Sequence, residues 1–249
     1  MLILLPPSEG KSAARRGPAL DLAGLSFPEL TGHREKVLDA LVQLSHTPEA
    51  QAVLELTDGL AGEIVKNRAL RTAPTLAAGK LYSGVLYDHL GLATLPARAR
   101  RRAEQRIVIM SGLWGALRLT DRVPPYRLSM GVRLPPMGGL AAYWRPALRP
   151  VLDAEEGLIV DMRSATYGAA WKPPREAGSR VVAVRVLQEA NGKRTVVSHM
   201  AKATRGAVAR SLAEHAKAPA TPEQLAHVLA GFGHRAELHP GRLDVIVSS

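Results

Sequence analysis

The chain has 249 residues, of which 46% are hydrophobic, so it suits one globular domain spanning residues 1–249. It carries 33 Lys and Arg residues against 22 Asp and Glu, and the resulting net charge of +11 favours nucleic acid, a nucleotide or an acidic surface as partner. The absence of cysteine excludes disulfides, thiol redox chemistry and iron–sulfur clusters held by thiolates.

Apolar runs in this chain are short. The run at residues 2–5 has no basic region before it and no small-residue cleavage site after it, unlike a secretory signal. No stretch approaches the roughly 18 apolar residues that a membrane span requires. We therefore expect a cytoplasmic protein with no membrane partner.

The N-terminal segment predicts a buried strand at residues 2–5, which ends at two prolines and continues into the turn 6–11. A strand followed by a Gly-Lys turn can cradle a phosphate with backbone amides and a lysine. It is not a Walker A loop, because the first glycine and the following helix are missing. The candidate residues here are Ser8, Glu9 and Lys11.

Helical patterns follow at about 28–44, 48–56 and 60–70. Thr47 and Pro48 begin the second of them as N-cap and first helical residue. The last two make a pair of short helices around a glycine-containing turn. Such a pair presents backbone N–H groups to a phosphate, although any two packed helices need a similar turn.

Residues 106–133 are the most informative stretch. A helix at 83–90 ending at Gly91 and a basic helix or loop at 97–106 precede it, and it begins with a strand at 107–110. The stretch as a whole contains glycines, prolines, aromatics and five arginines, a mixture that suits an anion, because guanidinium groups pair with phosphate and rings offer stacking faces. The candidate anion ligands are Ser111, Trp114, Arg118, Tyr126 and Arg127. Asp121 either orients an arginine or acts as a general base.

A second polar cluster follows a predicted helix at 140–153 and strand at 158–160. Asp161, Ser164 and Tyr167 come directly after that strand, where strand ends commonly present polar groups to a cleft. The alternative is that they form a helix N-cap and a buried tyrosine hydroxyl. Asn191-Gly192 then predicts a hairpin between 181–187 and 194–197.

The C-terminal part predicts a helix at 199–217, a capping-box helix from Thr221 and a strand at 243–247. In the first helix an apolar stripe faces the core, with Lys202 and Arg205 beside it and Arg210 further round. Basic residues beside a buried face either extend to solvent or point into a cleft that holds an anion.

Five blocks of the chain together resemble the YaaA family of bacterial peroxide stress proteins. They are MLILLPPSEGK at 1–11, KLYSGVLYDHL at 80–90, SGLWGALR with DRVPPYRLSMG at 111–131, VDMRSATYGAAWKP at 160–173 and SHMAKATRGAVARSL at 198–212. His199 stands where the family often has tyrosine. The resemblance implies DNA binding through a positively charged cleft, a helix-hairpin-helix element that would sit at 50–70, and limitation of oxidative DNA damage.

The expected fold is α+β, a mixed sheet flanked by helices, with a helix-hairpin-helix-like element and a basic cleft built from residues 6–11, 80–84, 111–131, 161–167 and 198–210. The candidate DNA- or anion-binding residues are Lys11, Tyr82, Ser111, Trp114, Arg118, Tyr126, Arg127, Ser164, Lys202, Arg205 and Arg210.

Two functions remain open. The first is a DNA-binding protein of the peroxide stress response that prefers distorted or single-stranded sites. The second is an enzyme that acts on a nucleotide- or purine-like substrate in the same cleft, with Ser8, Glu9, Asp121 and Tyr167 as candidate catalytic residues. No cofactor is expected. The eight histidines show no spacing typical of metal ligands, which also disfavours direct iron sequestration.

Overall fold

A mixed β-sheet forms the centre of the computed structural model, which describes residues 1–196 and 198–248, without the side chains of Arg175, Ser198 and His199. The strands are β1 (Leu2–Leu5), β2 (Leu76–Ala77), β3 (Ile107–Ser111), β4 (Gly115–Arg118), β5 (Arg122–Val123), β6 (Arg133–Leu134), β7 (Gly138–Gly139), β8 (Ile159–Asp161), β9 (Val181–Ala190), β10 (Lys193–Thr195), β11 (Arg235–His239) and β12 (Arg242–Ser248).

The main sheet has the order β11-β12-β9-β8-β1-β3-β4, and β10 pairs with β9. The neighbours from β12 to β3 are parallel, whereas β4, β10 and β11 are antiparallel additions. All residues of β1 and β3 are buried, as expected of parallel strands covered on both faces. The predicted mixed sheet flanked by helices is therefore confirmed.

The α-helices are α1 (Thr31–Leu44), α2 (Ala50–Val53), α3 (Gly62–Arg68), α4 (Ala78–Leu81), α5 (Val85–Leu90), α6 (Ala97–Arg106), α7 (Leu140–Asp153), α8 (Ala165–Gly168), α9 (Ser198–Glu214) and α10 (Pro222–Gly231). Short 3-10 helices lie at Pro28–Leu30, Asp58–Leu60, Leu92–Thr94 and Arg175–Arg180. Among the described residues, no helix is long and apolar enough to cross a membrane.

Local sequence signals account for several element ends. Gly91, at φ 57°, ends α5 in the left-handed conformation that glycine favours. The Thr221 hydroxyl accepts a hydrogen bond from the Gln224 N–H, as the predicted capping box requires. Asn191 and Gly192 both have positive φ, as in a two-residue hairpin turn. The predicted second hairpin strand included Val197, which lies outside the described residues.

The segment 50–70 differs from the two helices predicted there. The helix predicted at 48–56 is only the four-residue α2, because the chain leaves helical geometry at Glu55, whose φ is 55°. A 3-10 turn at Asp58–Leu60 then leads into α3, which matches the helix predicted at 60–70. The helix-hairpin-helix assignment stays a prediction.

The order of the strands places several loops at one edge of the sheet. After β1 the chain passes to β3 on one side, and it later returns to β8 on the other side of β1. Because parallel strands end at the same edge, the segments that follow β1, β3 and β8 lie together there. In α/β sheets such a change of direction opens a crevice at the carboxyl ends, where ligands bind.

Candidate functional site

A cavity of about 460 Å³ lies where the segments after β1 and β8 meet α5, α9 and the loop after β5. Its walls combine aliphatic and aromatic carbons with serine hydroxyls and charged groups. The lining residues are Pro6, Pro7, Ser8, Glu9, Lys11, Gly84, Val85, Leu86, Tyr87, Tyr126, Arg127, Leu128, Ser129, Ser164, Tyr167, Lys202 and Arg205.

Four basic side chains line this cavity: Lys11, Arg127, Lys202 and Arg205. The carboxylate in the same lining is that of Glu9, which lies 3.0 Å from a guanidinium nitrogen of Arg127. The Glu9 side chain is 80% exposed, so water screens this ion pair and weakens it. The described lining is thus positively charged.

The side chain of Lys11 is half-buried in the wall of the cavity. Its Nζ atom donates hydrogen bonds to the carbonyl oxygens of Ser8 at 2.9 Å and Glu9 at 3.3 Å, and it lies 4.4 Å from the ring centre of Tyr126. Burial, and next the positive charge of Arg127, lower the pKa of Lys11 to about 7. At neutral pH a large fraction of this lysine is therefore uncharged.

Behind Lys11, three hydroxyl groups form a buried chain. The Tyr126 hydroxyl lies 2.6 Å from the Ser111 hydroxyl and 2.8 Å from that of Tyr82. Burial raises the pKa of both tyrosines above the usual value, so both stay protonated at neutral pH. Tyr82 also forms an isolated antiparallel β-bridge with Lys11, which joins this chain to the turn after β1.

Asn67 of α3 holds the backbone of Arg127. Its side-chain amide donates to the Arg127 carbonyl at 2.9 Å, and its amide oxygen accepts from the Arg127 N–H at 2.8 Å. Asn67 is fully buried, so this pair of bonds is shielded from water. Sequence reasoning missed Asn67, because it is 60 residues from Arg127 along the chain and no local pattern links the two.

The segment after β8 supplies Ser164 and Tyr167 to the cavity. Burial raises the pKa of Tyr167 to about 12, against the opposing effect of hydrogen bonds with the Met130 backbone and the Ser129 side chain. Asp161 does not line the cavity, since both of its oxygens accept from the Arg163 guanidinium at 2.8 and 2.7 Å. This pair fixes the start of the segment.

Helix α9 contributes Lys202 and Arg205. It approaches α5 so closely at Gly206 that a Cβ atom there would lie 2.1 Å from the Leu86 carbonyl oxygen. The Nε atom of Arg205 is buried and has no hydrogen-bond partner among the described residues. Burial lowers the pKa of Arg205, opposed by the charge of Asp161. The side chain of the neighbouring His199 lies outside the described residues.

Three predicted residues are structural in this molecule. Trp114 is fully buried and packs edge-on against Tyr126, so its ring has no exposed face for a base. One carboxylate oxygen of Asp121 accepts from the Ser26 hydroxyl at 2.7 Å, and the other accepts from the Arg118 N–H at 2.8 Å. The Arg118 guanidinium donates to the Gln105 carbonyl at 2.7 Å and does not line the cavity.

Arg210 also lies apart from the cavity. Its guanidinium donates to the Gly91 carbonyl at 3.1 Å and to the Thr94 hydroxyl at 3.0 Å, at the C-terminal end of α5. Of the predicted residues, those that the structure brings together in the lining are Ser8, Glu9, Lys11, Tyr126, Arg127, Ser164, Tyr167, Lys202 and Arg205. In the described part of the chain, no group of three or more His, Asp or Glu side chains is placed to hold a metal ion.

Comparison with known proteins agrees with the motifs. The family model for peroxide stress protein YaaA matches residues 1–237. A UPF0246 protein of Streptomyces coelicolor is 49% identical over 258 residues, covering 99% of this chain and 98% of that protein. A UPF0246 protein of Corynebacterium efficiens is 40% identical, with the same coverage, and one of Cereibacter sphaeroides is 34% identical over 86% of this chain and 87% of its own. The chain belongs to the peroxide stress protein YaaA family.

Proposed function

We propose that this protein binds DNA during peroxide stress, in the cytoplasm, and that the cavity described above holds a phosphate-bearing nucleotide of that DNA. Binding at this site would limit oxidative damage to the bound DNA. The observation that carries the proposal is the convergence of Lys11, Arg127, Lys202 and Arg205 on one cavity from three separate parts of the chain.

Collecting like charges in one place costs free energy unless an anion lies among them. Burial is the main cause of the lowered pKa of Lys11, and the positive charge of Arg127 lowers it further, which is part of this cost. The carboxylate of Glu9 is too exposed to neutralise the group. A phosphate would relieve the repulsion and pair with the guanidinium of Arg127 or Arg205.

The segment 50–70 adjoins this cavity. The charges of Glu63 and Lys66, both on α3, act on Lys11, and Asn67 holds the Arg127 backbone. We assign the helix-hairpin-helix role to this segment: its turn would contact backbone phosphates next to the nucleotide in the cavity. In this proposal the positive charge comes from the cavity, because residues 50–70 hold three acidic residues against two basic ones and would contribute backbone N–H groups.

The size of the cavity favours an unpaired nucleotide. A volume of about 460 Å³ lies within the range of roughly 300–1,000 Å³ typical of small-ligand sites, and a duplex would not enter it. Bubbled or single-stranded DNA should therefore bind more tightly than an intact duplex. The same observation favours a second candidate function, an enzyme that acts on a free nucleotide- or purine-like substrate.

Fluorescence anisotropy with duplex, bubbled and single-stranded DNA across a salt series tests the first candidate. We expect a steep salt dependence, and a slope reduced by about one in Lys202→Ala if that lysine neutralises one phosphate. The matched control is Arg101→Ala, which removes one exposed charge from α6. Its slope should stay close to that of the wild type.

An unchanged salt slope in Lys202→Ala would mean that DNA binds outside the cavity. If Lys202→Ala keeps the wild-type affinity and slope, the cavity does not hold DNA phosphate. Thermal shifts with nucleotides and nucleosides then test the second candidate, because a ligand that binds the native state raises the melting temperature. An absence of any shift at millimolar ligand would contradict that candidate.

A further inference from the structure

Lys11 differs from the other basic residues of the cavity. Its Nζ atom is held between two backbone carbonyls and the Tyr126 ring, while the side chain still lines the cavity. Lys202, by contrast, is exposed on α9. Lys11 is held in place and has a pKa of about 7, so both its charged and its neutral form are populated at neutral pH.

The hydrogen bonds of Lys11 match those of a neutral amine. Such an amine has two N–H bonds and one lone pair, and the carbonyl oxygens of Ser8 and Glu9 account for both N–H bonds. In this form the two carbonyls leave the lone pair unused, and Lys11 lines the cavity in which an electrophile would bind. Enzymes activate lysine nucleophiles in this way, by desolvation and by a neighbouring cation.

The groups that face the amine act on its protonation in both directions. Arg127 and Lys66 disfavour its protonation, whereas Glu9 and Glu63 favour it. The rings of Tyr82 and Tyr126 lie beneath it, with centres 5.6 and 4.4 Å away. Burial outweighs all of these effects and lowers the pKa of Lys11 to about 7, so that the reactive form is populated near neutral pH.

We propose that Lys11 forms an imine with an aldehyde carried on a phosphate ester, while Arg127, Lys202 and Arg205 hold the phosphate. This inference rests on the proposed function, because it assigns the same cavity to a phosphate ligand. Two kinds of molecule contain such an aldehyde on a phosphate ester: DNA with a ring-opened deoxyribose at an abasic position, and a free sugar phosphate.

The chemistry balances without a further reactant. The lone pair of Lys11 Nζ adds to the aldehyde carbon, and a proton moves from nitrogen to the former carbonyl oxygen to give a carbinolamine. The carbon–oxygen bond then breaks, the oxygen leaves as water with the two protons that came from the amine, and a carbon–nitrogen double bond forms. Addition of a proton to nitrogen gives the iminium ion.

Reduction with cyanoborohydride, followed by peptide mass spectrometry, tests the proposal on the full-length protein. The probes are 2-deoxyribose 5-phosphate and an oligonucleotide with one abasic position. Their controls are unphosphorylated 2-deoxyribose, and an oligonucleotide with a tetrahydrofuran analogue that has no aldehyde. We expect a stable adduct on Lys11, at least tenfold faster with a phosphorylated aldehyde than with deoxyribose, at a rate that rises from pH 6 to pH 8.

Two variants serve as controls for the site of attack. Lys11→Arg should abolish the adduct, and Lys36→Arg, at an exposed lysine on α1, should leave it unchanged. An adduct with the oligonucleotide alone assigns the source to DNA, and one with the sugar phosphate alone assigns it to a small substrate. No adduct on Lys11 of the wild type, or equal labelling of Lys36, would overturn the proposal.

The affinity for the tetrahydrofuran oligonucleotide tests DNA binding separately from imine formation, because this oligonucleotide has no aldehyde. Binding of this oligonucleotide without an adduct from its aldehyde counterpart would overturn the imine and leave DNA binding intact. An adduct with the sugar phosphate, together with no DNA binding, would leave the imine intact and remove the proposed DNA function.

Discussion

The Nζ atom of Lys11 lies 4.4 Å from the centre of the Tyr126 ring. This contact joins the turn after β1 to the loop after β5, two segments more than a hundred residues apart in the sequence. The Tyr126 hydroxyl in turn bonds to the hydroxyls of Ser111 and Tyr82. The position of the lysine is therefore set by the folded loop and not by its own turn alone.

The lowered pKa of Lys11 makes stability depend on pH. Between the folded value of about 7 and the ordinary value of 10.5, the unfolded chain binds more protons at this position than the folded chain. The contribution of Lys11 to the free energy of unfolding therefore rises as pH increases through this window, and it is least favourable below pH 7.

We expect the free energy of unfolding of wild type minus that of Lys11→Met to increase between pH 7 and pH 10. Urea titrations of both proteins across this range measure the difference. Lys36→Met provides the matched control at an exposed lysine, and its difference from wild type should vary less with pH. A flat difference for Lys11→Met would show that Lys11 keeps an ordinary pKa.

Removal of the Tyr126 hydroxyl should lower the free energy of unfolding. In Tyr126→Phe, the hydroxyls of Ser111 and Tyr82 both lose a buried partner, so we expect destabilisation of about 2 kcal/mol. Tyr143→Phe is the control, because the Tyr143 hydroxyl makes one long bond of 3.3 Å to the His33 carbonyl. Chemical denaturation measures both, and equal costs would contradict the buried chain.

A methyl group added at Gly206 should not fit between α9 and α5, because the two helices are too close there. In Gly206→Ala the new Cβ would meet the Leu86 carbonyl oxygen at 2.1 Å, which forces the helices apart. We expect a loss of about 3 kcal/mol or more. Gly231→Ala, in α10 with nothing within 4 Å of the added carbon, should instead be neutral or stabilising by up to about 1 kcal/mol.

Thermal denaturation of the two glycine variants distinguishes these outcomes. Since Gly206 lies one residue from Arg205, we also expect Gly206→Ala to weaken the proposed binding of an anion in the cavity. Similar melting temperatures for the two variants would mean that the helices separate without cost.

The ion pair between Arg163 and Asp161 should contribute more to the free energy of unfolding than ion pairs at the surface. The Arg163 side chain is 2% exposed, and it also donates to the Trp171 carbonyl at 3.0 Å. Arg163→Met leaves the Asp161 carboxylate without its cation, for an expected cost of about 3 kcal/mol. Arg149→Ala removes the exposed pair with Asp153 and should cost about 0.5 kcal/mol or less. Urea denaturation of both variants checks the contrast.

Local patterns in the sequence predicted much of the fold. The apolar run of β1, the hairpin at Asn191-Gly192 and the capping box at Thr221 are each determined by neighbouring residues, and each is present in the structure. The helix predicted at 48–56 was too long, since the left-handed conformation of Glu55 has no sequence signal. Strands β4 and β11 were not predicted, although both complete the sheet.

The candidate site was predictable only in part, for a physical reason. Turn residues such as Ser8 and Lys11 can be found because they follow a buried strand. Asp121 and Arg118 have the same residue types as ligands, yet their polar atoms are satisfied by other parts of the chain. One partner of Asp121 is Ser26, 95 residues away, and no local pattern indicates such a pairing.

The double hydrogen bond between Asn67 and the Arg127 backbone has a consequence for heating and denaturation. Helix α3 lies outside the main sheet, and short peripheral helices open at lower free energy than central strands. When α3 opens, Arg127 loses its fixed position while β1, β3 and β8 remain paired. We therefore expect the proposed anion binding to be lost at a lower temperature than the melting temperature of the sheet.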